Sequence, residues 1–189
     1  MLEHVASLDE SLVAKRKNHV GRTVEQFWIF GVYDTDRKIG AFELIPDRTQ
    51  ATLFPLIRKY VKIPLIRKYV LPGSIIYSDR AAMYVNNNAG IDPPPSHITR
   101  RIQVNPPYVH ESVNHKENFI DPTSGACTNG VELLWKNAKM KLKAMSGTTR
   151  ERLPSYLDEF QWRQVYGKKT IEAFDNILEQ ISLFYPVNN

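Results

Sequence analysis

The sequence predicts a layered α/β domain, and three observations predict it. Apolar runs of strand length fill the first third, strand-like and helix-like segments alternate in the middle, and amphipathic helical stretches fill the last third. A length of 189 residues suits one compact domain. A chain of that size buries roughly 70% of its unfolded surface without disulfides or a structural metal. With 42% hydrophobic and 24% charged residues, wholesale disorder and collagen-like structure are excluded.

Residues 4–8 read as a short strand followed by Asp9. A longer strand is predicted over residues 23–33, ending in Phe-Trp-Ile-Phe-Gly-Val-Tyr, a continuous apolar run typical of burial on both faces. The polar turn 34–38 returns the chain into a hairpin partner over residues 39–45. Pro46-Asp47-Arg48-Thr49 stops the hairpin and offers a cap for a helix over residues 50–60. Pro72-Gly73 is a turn, residues 74–78 form a buried strand ending at Asp79, and a helical stretch is expected over 80–85. Residues 86–107, with Pro93-Pro94-Pro95 and Pro106-Pro107, read mostly as loop around a candidate strand at 97–104. Three apolar stripes at helical spacing follow. They are Val131, Leu134, Trp135, Ala138, Leu142 and Met145; then Leu153, Tyr156, Leu157 and Phe160; then Ile171, Phe174, Ile177, Leu178 and Ile181.

The heptapeptide Pro-Leu-Ile-Arg-Lys-Tyr-Val occurs at 55–61 and again at 64–70. An offset of nine residues advances a helix by about 900°, so two copies in one helix would face opposite sides. Pro64 also opposes helix continuation. A local duplication with a break between Tyr60 and Pro64 is the expected outcome.

No apolar run approaches the roughly 18 residues of a membrane span, and residues 1–4 lack a basic region followed by an apolar stretch, so nothing points to a membrane or to secretion. The single cysteine, Cys127, has no internal partner, which fits a reducing compartment. The net charge of +5 is unevenly placed: Lys15, Arg16, Lys17 and Arg22 cluster, and residues 132–169 hold nine Lys/Arg against four Asp/Glu. Such clusters suit a phosphate backbone, and equally a solvated surface.

Three carboxylates stand where chemistry is expected: Asp9 after the first strand, Asp79 at the end of the later strand, and Glu132 opening the first C-terminal helix. Carboxylates from distant points of a chain can hold Mg²⁺. Each also has an ordinary structural reading. Asp79 suits a helix N-cap, Glu132 a capping box with Asn129, and Asp9 a solvated turn. Glu132 shares a helix edge with Lys136, Lys139 and Lys143. Cys127 with His110 or His115 lacks the spacing of a thiol nucleophile or a zinc site, and no phosphate-binding glycine loop is present.

Several segments carry a more specific pattern in a fixed order. They are Leu8-Asp9-Glu10-Ser11, then residues 15–22, Trp28-Ile29-Phe30-Gly31, Ile45-Pro46-Asp47-Arg48-Thr49, residues 72–79, residues 113–122, residues 128–139, and residues 155–163. Together they resemble the Merlin-type transposases of the DDE superfamily, eukaryotic relatives of bacterial insertion-sequence transposases. The resemblance implies an RNase H-like α/β fold, a mixed sheet flanked by helices, over residues 1–166. Residues 167–189 would be a C-terminal helix within or appended to it. It implies metal-dependent DNA cleavage and strand transfer, with Asp9, Asp79 and Glu132 holding Mg²⁺ (Mn²⁺ as an alternative). Lys139 would be a companion lysine and Asn129 a polar neighbour of the site. Lys15, Arg16, Lys17, Lys139 and Lys143 would hold DNA, both transposon ends and target, with self-association left open. The nucleus is the expected place in a eukaryote, the cytoplasm otherwise. Departures from the pattern stand beside it. Residue 1 falls almost at the first catalytic strand, so the N-terminal DNA-binding region such transposases usually carry is expected to lie outside these residues; residues 80–84 lack a tryptophan, and Cys127 stands where a histidine is usual. The alternative expectation is therefore a decayed or domesticated remnant that binds DNA or protein without catalysis.

Overall fold

The computed structural model describes residues 4–13, 27–62 and 73–186. Its centre is a mixed sheet of five strands in the order β3-β2-β1-β4-β5. The middle strand β1 (Val5–Val13) pairs antiparallel with β2 (Phe27–Asp34), which turns back into β3 (Ile39–Ile45). On its other side β1 runs parallel to β4 (Ile75–Asp79), and β4 parallel to β5 (Val109–Val113). The tight β2–β3 turn is held by the Asp34 carboxylate, whose Oδ1 accepts from the Asp36 and Arg37 backbone N–H groups. Parallel neighbours need longer connections. Helix α1 (Gln50–Lys62) precedes β4 in the chain, and α2 (His97–Arg101) precedes β5.

Side-chain alternation divides the sheet into two apolar faces. Leu8, Phe30, Val32 and Ile76 pack with Leu53, Ile57 and Tyr60 of α1 and with Ile98 and Ile102 around α2. On the opposite face Ile29 and Phe42 meet Val131, Leu134 and Trp135 of α3 (Asn129–Ala144) and Leu157 of α4 (Leu153–Tyr166). Helix α4 also satisfies the outer edge of β3. Gln164 accepts from the Gly40 N–H and donates to its carbonyl, both at 2.8 Å, and Gln161 accepts from the Phe42 N–H at 3.0 Å. Two side-chain amides thus do what a sixth strand would do. Helix α5 (Thr170–Phe184) meets α4 through a 2.8 Å bond from Trp162 Nε1 to Gln180.

Several expectations need correction. Strand β1 does not stop before Asp9 but runs to Val13, because residues 6–13 pair with β2 along their whole length. Residues 80–85 form a turn rather than a helix, ending in a bridge from Val85 to Ser96. The expected strand at 97–104 is α2, capped by Ser96 Oγ, which accepts from the Thr99 N–H. Strand β5 falls in a stretch, residues 109–113, for which the sequence pattern sets no element. The stripe Ile171, Phe174, Ile177, Leu178 and Ile181 does lie along a helix but stays exposed, Phe174 at 63%. Helix α1 is described through Lys62, two residues beyond Tyr60. Pro64, the second repeat copy, and the basic residues Lys15, Arg16, Lys17 and Arg22 lie outside the described residues.

Gln164→Leu leaves the buried Gly40 backbone without partners on its outer side. Thermal or urea unfolding should show a loss of about 1–3 kcal/mol, the desolvation penalty of unpaired buried groups. A neutral result would mean that water serves the edge equally well.

Candidate functional site

The last paired residues of β1 and β4 are Ser7 and Tyr77. Two residues further along each strand stand Asp9 and Asp79, abreast and on the face covered by α3. Asp9 lies mid-strand, so it is not a solvated turn residue. Burial raises its pKa to about 7, and the charges of Asp79 and, more weakly, Glu132 push the same way. The Glu10 N–H, 2.8 Å from Asp9 Oδ1, works against that rise, and so does the Trp135 indole. Trp135 Nε1 is buried beside Asp9, yet completes no hydrogen bond of normal geometry. Asp79 Oδ1 accepts from the Ala81 N–H at 3.1 Å, the bond of an N-cap, although no helix follows it.

Glu132 stands in the first turn of α3 with its side chain 53% exposed. The capping box with Asn129 does not form. Thr128 takes the N-cap position, Asn129 is the first helical residue, and Glu132 Oε1 accepts from Thr128 Oγ1 at 3.2 Å. The Thr128 hydroxyl is also 2.7 Å from His115 Nε2, which stands 3.7 Å from Glu132 Oε1. Asn129 is exposed at this helix start.

Asp9, Asp79 and Glu132 are therefore brought to one face of the sheet. They do not draw as close as a single tight ligand set: among the described residues, the one group of three or more His, Cys, Asp or Glu with ligand atoms all within 4.8 Å of one another is His4, Asp34 and Asp36. The donor set nonetheless fits a hard divalent cation. Two neighbouring carboxylates offer oxygen ligands, and burial together with the charge of Asp79 raises the Asp9 pKa, an arrangement that a divalent cation would relieve.

Lys139 lies on the same helix and donates from Nζ to Ser11 Oγ, two residues past Asp9 on the same face. With Lys143 it borders a cleft of about 450 Å³ whose floor includes Leu12, Phe27 and Leu142.

Four contributors were missed in the sequence. Glu10 points to the opposite face, where Tyr84 donates its hydroxyl to the carboxylate; burial, Asp9 and Asp79 raise the Glu10 pKa to about 8. Its signal was its place beside Asp9 in an alternating strand. Trp135 was visible only as a core residue of the α3 stripe, and Tyr84 gave no signal. His115 lay within a segment of the resemblance but had no partner in sequence spacing.

Gly31 pairs with Asp9 across β1 and β2, and a side chain there would sit 2.5 Å from the Trp135 ring. That close approach lets α3 settle onto the strands bearing the acids.

The sign of the pH effect follows from the raised values. A carboxyl whose folded pKa exceeds its unfolded one stabilises fully at low pH, and the contribution is lost as pH rises through the folded pKa. For Asp9 and Glu10 the window runs from about 4 to about 8. With chelator present, the Tm of Asp9→Asn relative to the parent should therefore rise across that window. A difference independent of pH would contradict the burial of Asp9.

No curated protein matches the chain. A family model described as the ISXO2-like transposase domain matches residues 103–164, the stretch that holds β5, α3 and most of α4. Among solved structures, the catalytic core domain of BIV integrase is similar with a TM-score of 0.52 and 14% identity, over 97% of this chain and 99% of that one. The HTLV-2 integrase catalytic core domain in complex with magnesium has a TM-score of 0.48 and 11% identity, over 85% and 84% of the two chains. The likeness to the BIV core shows the fold to be that of an integrase catalytic core, RNase H-like. With the family-model match over 103–164, it supports the superfamily of DDE transposases and integrases.

Proposed function

We propose that the chain is the catalytic domain of a DDE transposase of Merlin type, cutting DNA and joining its strands with Mg²⁺ or Mn²⁺. The observation that carries this reading is the juxtaposition of Asp9 and Asp79 on the face where α3 presents Glu132. When bound, divalent ions would supply Lewis-acid activation of the attacking oxygen and stabilisation of the leaving one. Asp9 and Asp79 would be the main ligands, with Glu132 completing the set. Thr128 would orient Glu132 through its hydroxyl, and His115 would in turn orient Thr128. Asn129 would be a polar neighbour of the catalytic site. Lys139 and Lys143 would hold phosphates along the cleft beside β1. Lys15, Arg16 and Lys17, outside the described residues, would add to the charge that holds DNA. The catalytic domain would extend to Tyr166, with α5 appended, and in a eukaryotic host its workplace would be the nucleus.

The second reading, a remnant that binds without catalysing, draws on the spacing of the three acids, wider than one tight ligand set. Thermal melts with millimolar Mn²⁺ should raise the Tm of the parent, and Asp79→Asn should lose most of that shift. On labelled transposon-end DNA, Asp79→Asn should lower cleavage at least about a hundredfold, as removal of a metal ligand requires. A Mn²⁺ shift without cleavage favours the remnant; no shift defeats the metal reading altogether.

DNA affinity should fall steeply between about 50 and 200 mM salt, because contacts to phosphates release counterions. Lys139→Ala and Lys143→Ala should each flatten the slope of log affinity against log salt. Equal slopes in parent and variants would remove these two lysines from the DNA path.

A further inference from the structure

We propose a second metal site, for a transition-metal ion of the zinc class, formed by His4, Asp34 and Asp36. It lies about 16 Å along β1 from Asp9, at about 3.3 Å per residue, and is independent of the function proposed above. His4 leads into β1, while the two aspartates belong to the end of β2 and the turn that follows. One ligand atom from each comes within 4.8 Å of the other two.

The second observation is the state of Asp34. Its side chain is fully buried, and its direction is fixed by two backbone N–H groups on Oδ1, from Asp36 at 3.0 Å and Arg37 at 2.9 Å. Oδ2 is buried with no hydrogen-bond partner. His4 Nε2 and Arg37 Nη1 each stop 3.5 Å from it. These two ion pairs meet the charge of Oδ2 but give it no hydrogen bond, and a coordinated cation would supply the direct bond this buried oxygen lacks. His4 Nδ1 is 3.0 Å from Asp36 Oδ2, so the imidazole already lies between the two carboxylates.

The donor set selects the ion. One imidazole nitrogen with two carboxylate oxygens suits zinc, leaving the fourth tetrahedral position to water. Mg²⁺ and Ca²⁺ prefer sites made of oxygen alone. The Arg37 side chain is 47% exposed, so the guanidinium on the solvent side of Asp34 leaves the His4 and Asp36 side of the carboxylate to the ion. The bound ion would tie the approach to β1 onto the β2–β3 turn.

The test uses the full chain carrying Asp79→Asn and Glu132→Gln, which weakens the acidic site on the other end of β1. After stripping with chelator, calorimetric titration with Zn²⁺ should show one bound ion per chain, undisturbed by millimolar Mg²⁺. Adding His4→Ala, or Asp36→Asn at an exposed turn position, should weaken uptake roughly tenfold or more. With Co²⁺ as probe, the visible bands of a nitrogen–oxygen tetrahedral site should vanish in His4→Ala. Circular dichroism on each variant confirms that the fold is kept. Absence of zinc uptake in the double-substituted chain overturns the proposal. So does uptake unchanged by either His4→Ala or Asp36→Asn.

Discussion

The parallel pairing of β1 with β4 governs the rest of the molecule, because its register sets Asp9 abreast of Asp79. A slip of one residue would turn one of the acids to the other face. The register is held from outside the site. Ala6, Leu8 and Ile76 are fully buried against the helices opposite, while Ser7 donates to the Cys127 carbonyl on the α3 side. The apolar face thus fixes the geometry of the polar one.

Helix α3 can approach that face because three glycines make room for it. Gly31 lies under Trp135, Gly40 under Leu134, and Gly130 against Tyr33, each at a distance no side chain could keep. Glycine is usually a liability within a strand, since it packs poorly and loses more entropy on ordering. Here two strand glycines lower α3 onto the sheet and Gly130 seats its first turn. Acid is then placed on both faces of a single strand, Asp9 toward α3 and Glu10 toward Tyr84. The centre of the sheet is therefore electrostatically loaded, a conflict between local stability and chemistry of the kind that marks functional sites.

Much of this was legible in the sequence where one physical signal dominated. The hairpin 27–45 followed from apolar runs around a polar turn, and α3 and α4 from stripes of period 3.6. Asp79 was found because a short buried strand ends on it. Strand β5 was missed because Val109-His110-Glu111-Ser112-Val113 has apolar residues only at its ends. Its pairing with β4, and the bonds from His110 to Ser78 and Ser96, are tertiary facts. Helix α2 lies where the sequence suggests mostly loop around a candidate strand: the flanking prolines act as breakers and mask the one-turn helical spacing of Ile98 and Ile102. The extent of β1 escaped for a similar reason. Glu10-Ser11 looks like the start of a loop until β2 is laid beside it. The association of Glu132 with Thr128 and His115 depends on where β5 delivers the loop after it, which no spacing encodes.

The glutamines of α4 also bear on where the folding unit can end. Without them β3 would present a bare row of donors and acceptors at the rim of the sheet, a template for another chain. A polypeptide stopping after α3 would hold all three acids yet keep that rim open, and it would be prone to stack edge to edge. Solubility, rather than chemistry, then makes α4 indispensable.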